Sequence, residues 1–140
     1  MNKLIVLFLV LTSITAPAQA LSDSQTPALK APQNTPVSDN VSPQEAAKML
    51  TDKKAIIIDV REDNEWNLQH IPDALHIPLG QLKARMTELE PYKASPIITQ
   101  CHSGRRSKEA LVVLKLAGFS TAYNLNGGIV NWTKAGLKVE

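Results

Sequence analysis

The stretch IITQCHSGRRSKEAL, residues 97–111, holds the only cysteine of the chain. Ahead of Cys101, SPIITQ is a short continuous apolar run of the kind buried on both faces of a parallel sheet. Behind it, RRSKEALVVLKLAG has helical spacing: Ala110, Val113, Leu114 and Ala117 form one stripe, Lys108 and Lys115 another, and Gly118 supplies a C-terminal stop. Strand, tight loop and helix in that order are one step of a β/α alternation.

The alternation continues on both sides. VSPQEAAKML (residues 41–50) places Ser42 at an N-cap, Pro43 at the first helical position and Glu45 three residues after the cap, a capping box, with Ala46, Met49 and Leu50 facing inward. AIIIDV is a second buried-strand run, EDNEWNL a short helix and ALHIPL a short strand. LGQLKARMTEL (residues 79–89) reads as a helix with Leu82, Met86 and Leu89 inward. TAYNL is a last strand and GGIVNWTKAG a closing turn of helix. The expected fold is α/β: an open, mainly parallel sheet of about five strands flanked by helices, occupying residues 40–140. Ligands bind such sheets outside the carboxyl ends of the strands, where Cys101 lies.

Residues 1–20, MNKLIVLFLVLTSITAPAQA, combine Lys3, an apolar run too short to span a bilayer comfortably, and an Ala18-x-Ala20 cleavage site. They read as a secretory signal, so the mature chain is expected to be exported, to the periplasm, without stable membrane insertion. Residues 21–39, rich in Ser, Thr, Gln, Asn and Pro, read as a flexible linker. Losing Lys3 lowers the net charge from +2 to +1, which does not support nucleic-acid binding. A single cysteine cannot form an internal disulfide. It is an inert buried thiol, a dimer cross-link or a reactive group, and its surroundings decide among them.

Those surroundings favour reactivity. Between Gln100 and Arg105 the chain must curl, and Gly104 permits a tight backbone. A curled loop turns successive N–H groups of residues such as His102, Ser103 and Gly104 toward one centre, and the following helix adds its positive end. A thiolate there has a depressed pKa, with Arg105 or Arg106 adding charge if either points inward, and is a nucleophile near neutral pH. His102 is read as a pocket wall, since an ionised thiol needs no base. Three scattered His and one Cys have no metal-ligand spacing. Asp59 and Arg61, at the end of AIIIDV, read as a structural ion pair or backbone anchor that supports the loop. Trp66 and Trp132 read as packing, and His70 and His76 as partners of local backbone.

CHSGRRS resembles the active-site loop of the rhodanese (thiosulfate sulfurtransferase) family, Cys-x-x-Gly-x-Arg-Ser or Thr. DVREDNEWNLQHIPDALHIPL resembles the family's Asp-x-Arg, Glu-Trp and His-Ile-Pro-x-Ala block, and LNGGIVNW its Gly-Gly-x-x-x-Trp ending. Gln69 and Asp73 depart from the pattern, each standing where the family commonly has Gly. The resemblance implies that Cys101 accepts the outer sulfur of thiosulfate, polysulfide or a similar small anionic donor, holds it as a persulfide within the N–H groups of His102 to Arg106, and yields it to a thiol or cyanide. It calls for no cofactor. Arg106 matches the family's Arg, and Arg105 falls at a variable position. A sulfur carrier that delivers to a partner protein is the competing reading. A cysteine phosphatase on the same fold would need Arg six residues after Cys101, where Ser107 stands.

Overall fold

A computed structural model describes residues 38–52 and 54–140. The signal segment expected at 1–20, and all but the last two residues of the linker expected at 21–39, lie outside them. The architecture is an all-parallel sheet of five strands with helices on both faces. In chain order the elements are β1 (Asn40–Val41), α1 (Pro43–Asp52), β2 (Ile56–Asp59), α2 (Asp63–Trp66), β3 (Leu75–His76), two 3-10 segments (Leu79–Gln81 and Met86–Tyr92), β4 (Ile97–Gln100), α3 (Arg105–Leu116), β5 (Ala122–Leu125) and α4 (Gly128–Lys134). The strands lie in the order β1-β5-β4-β2-β3. Chain connections therefore leave β4 in the middle, with Ile56 to Asp59 of β2 beside Ile97 to Gln100 on one side and β5 on the other.

Period-2 alternation on β4 splits the core. Ile97 and Cys101 face one cluster, with Ile58, Leu82, Leu89, Ala110, Leu111, Leu114 and Phe119. Ile98 faces the other, with Ala46, Ile57, Ile71, Leu125, Ile129 and Trp132. Both faces are covered, which is why the strands read as unbroken apolar runs. At the head of α1 the capping box forms as expected: the Ser42 N–H donates to Glu45 Oε2 at 2.8 Å, and the Glu45 N–H donates to Ser42 Oγ at 3.2 Å.

Two expectations need correction. The α-helix expected over 79–89 is a pair of 3-10 segments, closed by bonds such as Gln81 N–H to the Pro78 carbonyl and Lys93 N–H to the Glu90 carbonyl. Pro91 lacks the N–H an α-helix would need, and its ring would collide with the carbonyl of Thr87. Leu82 and Leu89 are nevertheless fully buried and Met86 half-buried, since either path turns them inward. On α3 the buried face is Ser107, Ala110, Leu111 and Leu114, rotated slightly from the expected stripe. Val113 and Ala117 lie at its margin.

The sheet delivers Cys101 to a loop that α4 then holds. Gly128, at the first position of α4, has φ +57°, and a Cβ there would lie 2.2 Å from the Cys101 carbonyl oxygen and 2.6 Å from that of His102. Only glycine lets the two backbones approach this closely. Gly128→Ala is therefore expected to destabilise the domain by about 2–4 kcal/mol in urea unfolding. Gly80→Ala, where a Cβ meets nothing within 4 Å, is expected to change stability by less than about 1 kcal/mol.

Candidate active site

Cys101 follows the last residue of β4 and is only 1% exposed. Its carbonyl accepts the Ile129 N–H at 2.9 Å, and the next carbonyl, of His102, accepts the Val130 N–H at 3.3 Å. In a trans peptide the C=O and N–H point in opposite directions. Tying these carbonyls to α4 therefore turns the following N–H groups back toward the sulfur. Gly104, at φ +98°, completes the curl and donates its N–H to Cys101 Sγ at 3.1 Å. The N–H groups of Ser107 and Ser103 also serve the sulfur, and the Ser107 hydroxyl lies 3.3 Å from it. Burial raises the thiol's pKa, but the Ser107 hydroxyl and these three N–H groups together outweigh it and hold Cys101 below the ordinary thiol range.

Ser107 belongs to a longer chain of contacts. Its hydroxyl lies 2.5 Å from Asn124 Oδ1, and Asn124 Nδ2 donates to Asn40 Oδ1 at 2.8 Å. Thr99 Oγ1, directly below on β4, faces the carbonyls of Ser107 and Tyr123 at 2.9 and 3.0 Å, fixing the first turn of α3 against the sheet.

Around the loop stand two ion pairs. Asp59 and Arg61 are both buried and joined by the Arg61 backbone N–H, Nε and Nη2, the last at 2.6 Å, while Gln100 Nε2 also donates to Asp59 Oδ2 at 2.6 Å. With its remaining N–H bonds Arg61 holds the carbonyls of Gln69 at 2.8 Å and Glu65 at 3.4 Å, clamping the α2 segment. Glu65 in turn receives both terminal nitrogens of Arg106, at 2.7 and 2.8 Å. The Arg106 hydrogen bonds lower the Glu65 pKa to about 2. The sequence left open whether Arg105 or Arg106 turns inward; the Arg106 fork is filled by the Glu65 carboxylate and fastens α3 to α2, while its charge still lies near enough to Cys101 for the two to interact. Arg105, His102 and Ser103 are exposed at the surface of the loop.

A family model described as the rhodanese-like domain matches residues 42–135. The chain belongs to the rhodanese-like family. It is 42% identical over 86 residues to the putative sulfur carrier protein YrkF of Bacillus subtilis, a match that takes in 61% of this chain and 45% of YrkF. It is 31% identical over 90 residues to the thiosulfate sulfurtransferase GlpE of Pseudomonas syringae, over 64% of this chain and 83% of GlpE. The crystal structure of a rhodanese-related protein from Thermoplasma volcanium superposes with a TM-score of 0.65 at 25% identity, covering 72% of this chain and 96% of that one.

Within this rhodanese-like frame, the two departures at family glycines have different outcomes. Asp73 takes φ +60°, a left-handed conformation that Asp tolerates better than most residues. Gln69 needs no such geometry and contributes its carbonyl to Arg61. His70 and His76 stack in parallel on Trp66, with ring centroids 3.8 and 4.6 Å away, and bond to the carbonyls of Trp66 and Arg61. Reading by residue type missed Ser107 and Asn124 as parts of the site. The available signals were a polar residue on the first turn of an otherwise apolar helix face, and an Asn inside the buried strand AYNL.

The Glu65–Arg106 pair gives a dependence on pH. The folded pKa lies below the unfolded carboxylate value, so its contribution is present above about pH 4.5 and is lost as pH falls toward 2. Glu65→Gln is expected to lower unfolding free energy at pH 7 by about 1–3 kcal/mol, discounted for partial exposure, with the difference from wild type closing by about pH 2. A difference independent of pH would contradict the assignment.

Proposed function

We propose that the protein transfers sulfane sulfur through a persulfide on Cys101. The Cys101 thiolate attacks the outer sulfur of a small anionic donor. With thiosulfate, the new S–S bond forms as the donor's S–S bond breaks, and sulfite leaves with the bonding pair. The persulfide anion then occupies the centre of the loop, where the N–H groups that held the thiolate can hold it. A thiolate or cyanide attacks the terminal sulfur, takes it, and restores the Cys101 thiolate. No step needs a base or a cofactor, and one cysteine suffices.

The observation that carries this reading is the Gly104 N–H at 3.1 Å and the Ser107 hydroxyl at 3.3 Å from a sulfur at the carboxyl end of the central strand. Membership in the rhodanese-like family, and the similarity to a protein named a thiosulfate sulfurtransferase, support it. Thiosulfate is the proposed donor and a thiol the proposed acceptor, with the exported compartment suggested by residues 1–20 as the place of action. Similarity to a protein named a putative sulfur carrier supports a second reading, in which Cys101 is loaded and delivers its sulfur to a partner protein. The phosphatase alternative is weakened further by the commitment of Arg106 to Glu65.

Mass spectrometry separates the readings. Purified protein exposed to thiosulfate is expected to gain the mass of one sulfur atom at Cys101 and to lose it on addition of cyanide, while Cys101→Ser gains nothing. Loading by polysulfide but not thiosulfate would favour the carrier, and no loading by either would overturn both.

A further inference from the structure

The Ser107 hydroxyl has one proton and two claimants. Cys101 Sγ lies 3.3 Å from it and Asn124 Oδ1 2.5 Å. Asn124 is fully buried, so water cannot set its orientation, and its other end meets Asn40 Oδ1 at 2.8 Å. With the amides oriented as observed, Asn124 Nδ2 donates to Asn40, and Asn124 Oδ1 takes the one Ser107 proton whenever the sulfur, which the same hydroxyl also reaches as a donor, is a neutral thiol. A thiolate needs the opposite. The hydroxyl must donate to sulfur, Asn124 must turn its Nδ2 toward Ser107, and Asn40 must turn its own Nδ2 toward Asn124. Each group can do so, because Ser and Asn both donate and accept. Asn40 is exposed, so its amide can reverse with help from solvent.

We propose that Ser107, Asn124 and Asn40 form a reversible hydrogen-bond relay whose direction follows the ionisation of Cys101, so that Asn40, on the edge strand, is a positioning residue for the reactive sulfur. No bond to carbon, nitrogen or oxygen is made or broken. Two amides rotate, and the thiol proton leaves to solvent. The relay joins the first residues of the domain, at the outer edge of the sheet, to the chemistry at its centre. The other charged groups near the sulfur keep their places: Arg106 is matched by Glu65, Asp59 and Arg61 lie behind Gln100, and Arg105 is exposed on the loop.

The test is the rate of iodoacetamide alkylation of the full chain against pH, which reports Cys101 alone because no other cysteine exists. It reads the thiolate and not sulfur transfer, so failure of the relay and failure of the proposed function are distinguishable. Asn40→Asp presents only an acceptor. It holds Asn124 Nδ2 outward and leaves Ser107 bonded to Asn124, so alkylation near neutral pH is expected to fall about tenfold, a shift of about one pKa unit. A simple field effect of the new charge would be screened away in 1 M salt, where the Debye length is about 3 Å; the relay effect should persist. Asn40→Ala leaves Asn124 free to reverse and is expected to react at least as fast as wild type. In a Ser107→Ala background, itself slower, Asn40→Asp is expected to add nothing. The relay is overturned if Asn40→Asp alkylates at the wild-type rate, if its slowing vanishes in 1 M salt, if Asn40→Ala is slowed equally, or if the double variant is slower than Ser107→Ala. Equal thermal melting of Asn40→Asp and Asn40→Ala is expected alongside.

Discussion

The structure turns on two carbonyl groups. Once the oxygens of Cys101 and His102 are held by the N–H groups of Ile129 and Val130, the loop between β4 and α3 has little freedom left. Its peptide planes are fixed, their N–H ends point inward, and whatever sits at the centre is bathed in partial positive charge. The rest of the molecule serves that arrangement. The sheet order puts β4 in the middle, so the loop emerges between flanking strands. Gly128 allows α4 to come within bonding distance, and Thr99 ties the start of α3 to the sheet below.

Charge is used in this fold to hold backbone in place. Arg61, neutralised by Asp59, spends its remaining hydrogen bonds on the carbonyls of Glu65 and Gln69. Glu65 then fixes Arg106 at the head of α3. A buried ion pair of this kind adds little net stability compared with apolar packing, yet losing one partner would leave an uncompensated charge. Its consequence here is geometric: β2, α2 and α3 are held in register around the Cys101 loop. Against the opposing effect of burial, oriented dipoles from the Ser107 hydroxyl and backbone N–H groups hold the sulfur below the ordinary thiol range.

Much of this was legible in the sequence because the determinants are local. Unbroken apolar runs such as IIID and IITQ mark strands covered on both faces, and Ser42 with Glu45 marks a helix start. The curled loop around Cys101 was signalled by one Cys, one Gly and its place after a buried strand. What escaped depends on contacts distant in sequence. The two-residue strand Asn40–Val41 exists only because β5 offers it an edge, and nothing in its own composition marks it. The spacing of Leu82, Met86 and Leu89 fits a helix and does turn them inward, yet the backbone closes in 3-10 turns, with Pro91 barring an α-turn at the C-terminal end. The sequence did not say which of Arg105 and Arg106 turns inward, nor what Arg106 meets. Its partner lies 41 positions earlier, and only the fold brings Glu65 to it. Asn124 has the same history: a polar residue in a buried strand signals a partner without saying which.

The loop lowers the pH at which Cys101 ionises below that of a free thiol, about 8.5. The direct measurement is the ultraviolet absorbance of the thiolate as a function of pH, taken as the difference between wild type and Cys101→Ser so that tyrosine cancels. A thiolate band that persists at neutral pH and disappears with a midpoint clearly below the free-thiol value is the expected result. A midpoint at or above that value would mean that burial outweighs the oriented dipoles, and would return Cys101 to the status of a small buried core residue.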